Sequence, residues 1–397
     1  MSNKTLSIMP YYGGKARMAK FISDKLNYNC STYVELFGGG CRVLLNKPRH
    51  DNEIYVDMSE GLTTLIGVLS DKQLADEFIQ KLYYETEYNK DEFKKAKEIF
   101  DICEMTIGDY INKRIEETFE KFLKDIRYIK DGKKVNIKRL FTQGNPKVMK
   151  KINELSEAHD NHKSLNQILK LDVFNPNLLE EYHANESMRE HGFEIDDIDL
   201  AIATYITYAQ SRDGMGKHWS NGKTDKQYKK KIENLLLCAK RLQGVRVLKN
   251  NAMSMVGCIE VLKNTIVDLK DREDIMIYAD PSYISTDDEK KLLEGIDYIN
   301  LDIDKQSLSD EIIKRKSKTP SNLGKVYVES FEYKDHEEFL RYIYKSKTSI
   351  MISNYDLVLY NKYLNENNGW KKFEFDTVTN VGNSKGRKRK EIIWINY

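Results

Sequence analysis

Cysteine is scarce and shows no pairing pattern in this chain of 397 residues. Cys30, Cys41, Cys103, Cys238 and Cys258 form no CxxC pair and are odd in number, which argues against a disulfide framework and a structural metal and for reduced thiols in a cytoplasm. No apolar run approaches the ~20 residues of a membrane span. The amino-terminal MSNKTLSIMPYYGGK has no apolar stretch of the secretory kind, so a cytoplasmic protein is expected. His50, His159, His162, His183 and His191 show no metal-ligand spacing, and no metal is expected. A dominant charge is missing as well: 64 Lys and Arg against 62 Asp and Glu leave a net charge of +2, which neither demands nor excludes nucleic acid, because a small total can hide a local basic surface. Repeats and low-complexity linkers are also absent.

What remains is enough for a real core, with 40% apolar residues beside 32% charged ones, in a length that allows two or three domains. From Ile8 to about Leu69 the pattern is α/β, with strand-like TYVELF and EIYVD around a glycine-rich turn. From about Ser70 to Arg241 helix-forming Lys, Glu and Leu dominate. Strand-like runs return at VRVLKN, DIMIYAD, KTSIMISN and EIIWINY. The expected architecture is one α/β domain with a Rossmann-like sheet, made of residues 1–69 and 245–397, interrupted by a largely helical insertion at 70–244.

Two stretches point to chemistry. In IMIYADPSYIS an apolar strand ends on Asp280, Pro281, Ser282 and Tyr283, and open α/β sheets bind ligands at the carboxyl ends of their strands. Ordinary turn chemistry would use the same Asp, Pro and Ser. In YVELFGGGCRVLL the run Gly38, Gly39, Gly40 follows a strand and lets the backbone turn tightly beside a ligand. Neither the phosphate-binding GK[ST] nor the dinucleotide GxGxxG spacing is present. Asp57, ending the next strand, can accept hydrogen bonds from both hydroxyls of a ribose, so glycine turn and acid together suggest an adenosine-containing ligand.

In the order PYYGGK (10–15), ELFGGG (35–40), IYVD (54–57), DPSY (280–283) and MISNYD (351–356), the chain resembles the Dam-type, α-class DNA adenine-N6 methyltransferases. The similarity spans 8–69 and 245–397, and is weaker over 202–219. It implies an S-adenosylmethionine-dependent methyltransferase that acts on duplex DNA, with base flipping and a target-recognition region in the middle of the chain; a cognate restriction endonuclease is a candidate partner. The implied catalytic group is Asp280 with the Pro281 carbonyl, Ser282 and Tyr283. Tyr11, Tyr12, Gly14, Lys15, Glu35, Phe37, Gly38, Gly39, Gly40, Asp57 and Asn251 are the implied cofactor contacts, with Lys15 near the cofactor's carboxylate. Implied DNA contacts are Arg212, Met215, Lys217 and Lys223 in AQSRDGMGKHWSNGK, and Arg387, Lys388 and Arg389 in a basic loop before the last strand. Ser282 stands where the family's commoner form has a second proline, and Cys41 where small residues are common. Cytosine-N4 methylation and a catalytically degenerate DNA-binding regulator are the alternatives. SNYD reads most simply as a helix cap.

Overall fold

The structure, a computed structural model, describes residues 5–104, 196–249, 272–284, 289, 333–379 and 387–397. Its seven-stranded sheet has the order β3-β2-β1-β4-β5-β7-β6. The strands are β1 (Thr32–Leu36), β2 (Asn52–Asp57), β3 (Arg246–Lys249), β4 (Ile275–Ala279), β5 (Ser349–Asn354), β6 (Lys371–Thr379) and β7 (Arg387–Ile395). The first five run parallel and β7 runs antiparallel to both its neighbours.

Each central strand is apolar on both faces, as a parallel sheet covered on both sides requires. Tyr33, Tyr55, Met276, Tyr278 and Met351 point into one core, and Val34, Val56, Ile277, Ile350 and Ile352 into the other, following the two-residue alternation of a strand. The first core is closed by helices α1 (Ala19–Ser23), α2 (Arg42–Asn46), α3 (Glu60–Ser70), α4 (Lys72–Glu85), α5 (Lys90–Glu104), α6 (Asp197–Ala209), α7 (Asp225–Glu233) and α8 (Leu235–Leu242). The second is closed by α9 (Tyr333–Ile343) and α10 (Val358–Tyr363).

The chain divides into two compact units, Met1–Glu104 with Asp197–Tyr397, and Met105–Asp196. Helices α4 to α8 therefore share a unit with the sheet, although the sequence pattern groups them with the middle of the chain. The reason is their apolar stripes: α6 buries Ala201, Tyr205 and Tyr208 against the same core that holds Tyr33 and Tyr278.

Register fixes the site. Leu36 pairs with Val56 on one side and Ala279 on the other, and Ala279 pairs with Ile352. Phe37, Asp57, Asp280 and Ser353 consequently follow at one level along the carboxyl edge. The strand order reverses between β1 and β4, which is where open α/β sheets leave a ligand crevice. Two expectations change here. The RKRK run is not a loop: Arg387, Lys388 and Arg389 pair with Thr379, Val378 and Thr377, because β-branched partners, Asp376 opposite Lys390 and the diagonal Lys390–Glu374 ion pair extend the β6–β7 ladder outward. β6 itself is an additional strand, whose Phe373 and Phe375 alternate with charged residues toward solvent.

Candidate active site

The glycine turn is built by close approach. Gly38 donates its N–H to Val56 O at 3.0 Å, and a side chain there would meet the Tyr55 ring at 2.1 Å; one on Gly39 would meet the Tyr11 ring at 2.7 Å. Phe37 (φ 56°) and Cys41 (φ 57°) bracket the turn in the left-handed region that non-glycine residues rarely enter, so strain is concentrated here. Phe37 packs edge-on to Phe339 at 5.7 Å, and buried Cys41 precedes α2.

Asp57 ties the turn to the end of β2. One oxygen accepts the Gly39 N–H at 2.8 Å and the other the Ser59 N–H at 2.9 Å. Burial lifts its carboxyl above the ordinary aspartate range despite N–H bonds from Ser59, Gly39 and Met58. Three N–H bonds leave the carboxylate one acceptor position, so Asp57 can take a ribose hydroxyl beside the strained turn, and the donor and acceptor set fits S-adenosylmethionine. Glu104, the last residue of α5, accepts Ser59 Oγ at 2.5 Å and Gly61 N–H at 2.8 Å; burial lifts it to about 7.

PYYGGK forms a tight turn in which Gly14 N–H donates to Tyr11 O at 3.1 Å across Gly13 at φ 78°. Tyr11 lies between the glycine turn and Tyr208, whose ring is 5.3 Å away, and Tyr12 N–H donates to Gly214 O at 3.1 Å. Glu35 lies inside the sheet rather than on its edge. Its carboxyl is raised to about 7 by burial, against the lowering effect of the Tyr33 hydroxyl that donates to it at 2.7 Å.

Lys15, expected beside the cofactor's carboxylate, extends to the catalytic stretch. Its Nζ lies 2.7 Å from Asp280 Oδ2, 3.9 Å from Glu391 Oε2 and 4.5 Å from the centre of the Tyr283 ring. Ser353 Oγ donates to Asp280 Oδ1 at 2.7 Å, and since a hydroxyl has one proton, Tyr278 must donate to Ser353 across 2.9 Å. Burial, reinforced by the Asp280 charge, keeps the Tyr278 proton in place. Pro281 is buried, whereas Ser282 and Tyr283 are half-buried; Tyr283 meets Tyr355 edge-on at 4.8 Å and donates its hydroxyl to Glu391 at 3.1 Å.

Ser353 and Glu391 thus join the site, although the sequence reads Ser353, in SNYD, as a helix cap and does not single out Glu391; the helix that follows is capped at Leu357 without a side-chain bond. For Ser353 the available signal was its place at the end of an apolar strand, like that of Asp280; Glu391 follows a basic run that masks it. Asn354, by contrast, bonds Tyr360 Oη at 3.0 Å within its own segment.

The Ala209–Lys223 segment leaves α6 through a short 3-10 turn, Arg212–Gly214, with Asp213 at φ 59°. Gly214 has no room for a side chain, which would stand 2.7 Å from Pro10 C. Arg212, Lys217 and His218 are exposed and Met215 is half-buried. Lys223 is turned inward, donating to Ala209 O at 2.7 Å, and burial lowers its ammonium to about 8. Asn251 lies outside the described residues.

Residues 11–358 match the family of D12 class N6 adenine-specific DNA methyltransferases. The chain belongs to this family. This methyltransferase is an S-adenosylmethionine-dependent enzyme that methylates the N6 amine of adenine in DNA, which decides against the cytosine-N4 and binding-only alternatives. No curated protein matches the chain. Among its described residues no group of His, Cys, Asp or Glu could hold a metal ion, Cys30, Cys41, Cys103 and Cys238 are free thiols, and no helix is long and apolar enough to cross a membrane.

Proposed function

We propose that the enzyme flips its target adenine out of duplex DNA and holds the exocyclic amine at the carboxyl end of β4. The observation that carries this reading is the convergence of Asp280, Tyr283, Lys15 and Ser353 beside the glycine turn. The N6 lone pair is delocalised into the ring, so the site must return electron density to nitrogen. Asp280 accepts one amine N–H and the Pro281 carbonyl the other, while Ser353 fixes the carboxylate. Tyr283 stacks on a base that pairing would otherwise keep out of reach. S-adenosylmethionine, when bound, supplies an electrophilic methyl group, and Asp57 with the Gly38–Gly40 turn and Tyr11 holds it. Residues 105–196, between α5 and α6, are assigned to target recognition as part of the helical insertion. The cytoplasm, where donor and chromosomal DNA meet, is the assigned location. A cognate restriction endonuclease would cut the same sequence unmethylated.

Incubation of the protein with S-adenosylmethionine and mixed duplex DNA, followed by nucleoside mass analysis, should yield N6-methyladenine. With 2-aminopurine at the target position, fluorescence should rise on binding as the base leaves the stack. A base that stays dark in a saturated complex sinks the flipping step.

Asp57→Ala is expected to weaken S-adenosylmethionine binding by roughly 1–3 kcal/mol, the scale for leaving hydrogen-bonding groups without a partner. Methylation should recover at high donor concentration. An unchanged calorimetric affinity rejects the ribose role.

The loop at 212–217 and the β7 basic run are assigned different work. The first mixes an apolar wedge with exposed hydrogen-bonding groups, and the second carries almost only point charge. Replacing Lys388 and Arg389 with Ala should weaken all duplexes about equally and flatten the salt slope by about one unit for each phosphate no longer neutralised. Arg212→Ala or Met215→Ala should instead change which sites are methylated. Sequencing of methylated positions in a random duplex pool at two salt concentrations separates the two, and a motif change in the basic-run variant alone reverses the assignment.

A further inference from the structure

We propose that Glu391 is a positioning residue that receives the Lys15 ammonium when the target base enters. The inference rests on the base-pocket reading given above. Lys15 holds the Asp280 Oδ2 acceptor at 2.7 Å and covers the Tyr283 ring at 4.5 Å, so one cation fills both the acceptor and the aromatic face that an adenine needs. Asp280 Oδ1 is already bonded to Ser353. An entering base therefore competes with Lys15 for Asp280 Oδ2 and for the Tyr283 face that Lys15 covers.

Lys15 Nζ also donates to Gly13 O at 2.9 Å, and its side chain is 8% exposed, so on leaving Asp280 it remains in the pocket, where an ammonium without a counter-charge is strongly unfavourable. Glu391 offers the alternative. Among the described residues, Asp280 and Glu391 are the carboxylates within 4.0 Å of this ammonium. Its Oε2 lies 3.9 Å away, so a shift of roughly 1 Å makes a charge-assisted bond of ordinary length. The same Oε2 accepts the Tyr283 hydroxyl at 3.1 Å, which holds the carboxylate in place before Lys15 arrives. Burial, with the Asp280 and Glu391 charges nearby, keeps that tyrosine protonated and donating. Two carboxylates share one ammonium throughout, so the charge of the pocket does not change as Lys15 crosses from one to the other.

Register explains why Glu391 is available. Asn354 of β5 pairs with Ile392 of the antiparallel β7, which leaves Glu391 at the same sheet edge as Asp280 and Ser353 although more than a hundred residues separate it from Asp280 in sequence.

The test is a double-mutant cycle of Glu391→Gln and Lys15→Met in the full chain. Glutamine keeps an acceptor for Tyr283 and removes the charge. The first readout uses no methyl donor: fluorescence anisotropy compares duplexes carrying adenine or purine, which lacks the 6-amine, at the methylated position. Glu391→Gln should reduce the preference for adenine about tenfold, the scale of one hydrogen bond to a charged group, with a parallel fall in single-turnover methylation. Its S-adenosylmethionine affinity should match wild type, which also verifies folding. In the Lys15→Met background the same substitution should add nothing. Wild-type preference in Glu391→Gln, or an equal loss in both backgrounds, overturns the proposal. If the wild-type protein itself does not distinguish adenine from purine, the base-pocket reading fails instead.

Discussion

Asp280→Ala is expected to lower single-turnover methyl transfer by about 10²–10³ while leaving S-adenosylmethionine affinity nearly unchanged. The rate loss is the usual scale for removing one preorganised electrostatic contact to a reacting group. The affinity is spared because the donor's expected contacts lie mainly in the PYYGGK turn, the glycine turn after β1 and Asp57 at the end of β2, whereas Asp280 follows β4. Asp280 also holds Lys15 and accepts Ser353 Oγ, so the alanine variant releases both. Asp280→Asn is the sharper companion: it keeps the shape and one acceptor oxygen but removes the charge, and it should retain part of the rate that alanine forfeits. Rapid-quench methylation and calorimetry decide the matter, and wild-type turnover in either variant rejects the catalytic role.

The parts of this site that were legible in the sequence are those encoded by local backbone demands. A glycine run after an apolar strand, a carboxylate ending the next strand and a DPSY turn each announce a strand's carboxyl edge, and the register places three of them at one level. Side-chain direction was not legible. Lys15 sits in a motif that the resemblance assigns to the cofactor, and its long side chain also reaches Asp280 after β4, while Glu35, an implied cofactor contact, is buried within the sheet. Both outcomes depend on tertiary contacts that no local pattern records. Glu391 was hidden because antiparallel pairing brings the middle of β7, not a strand end, to the active edge. The limits of the RKRK segment escaped for a related reason: charge favoured a loop, and the partner strand that overrides it was itself disguised by alternating Lys, Glu and Asp.

At the opposite edge of the sheet, Glu53→Ala is expected to destabilise the sheet-bearing unit by about 3–5 kcal/mol, the cost of leaving a buried charge uncompensated. Glu53 is the second residue of β2, and its carboxylate accepts Lys47 Nζ at 2.5 Å and Arg241 Nη1 and Nη2 at 2.6 and 2.8 Å. The Lys47 side chain is 0% exposed, so its ammonium could not turn to solvent. Burial alone would raise the Glu53 carboxyl, but the bonds from Arg241 and Lys47 outweigh it and hold the group below the ordinary glutamate range. A depressed carboxyl contributes stability that is fully present above its unfolded value near 4.5 and is lost as pH falls through the lower folded value. Wild-type stability should therefore fall with acid below about that pH, and the variant should lack this part of the slope. Trp219, Trp370 and Trp394 all belong to the sheet-bearing unit, so their fluorescence during urea titration follows it alone. Donor affinity should not change at temperatures where the variant is folded, because four residues of strand, roughly 13 Å, separate Glu53 from Asp57. A midpoint within error of wild type would mean that Lys47 finds another counter-charge and that this ionic cluster does not hold α8 to β2.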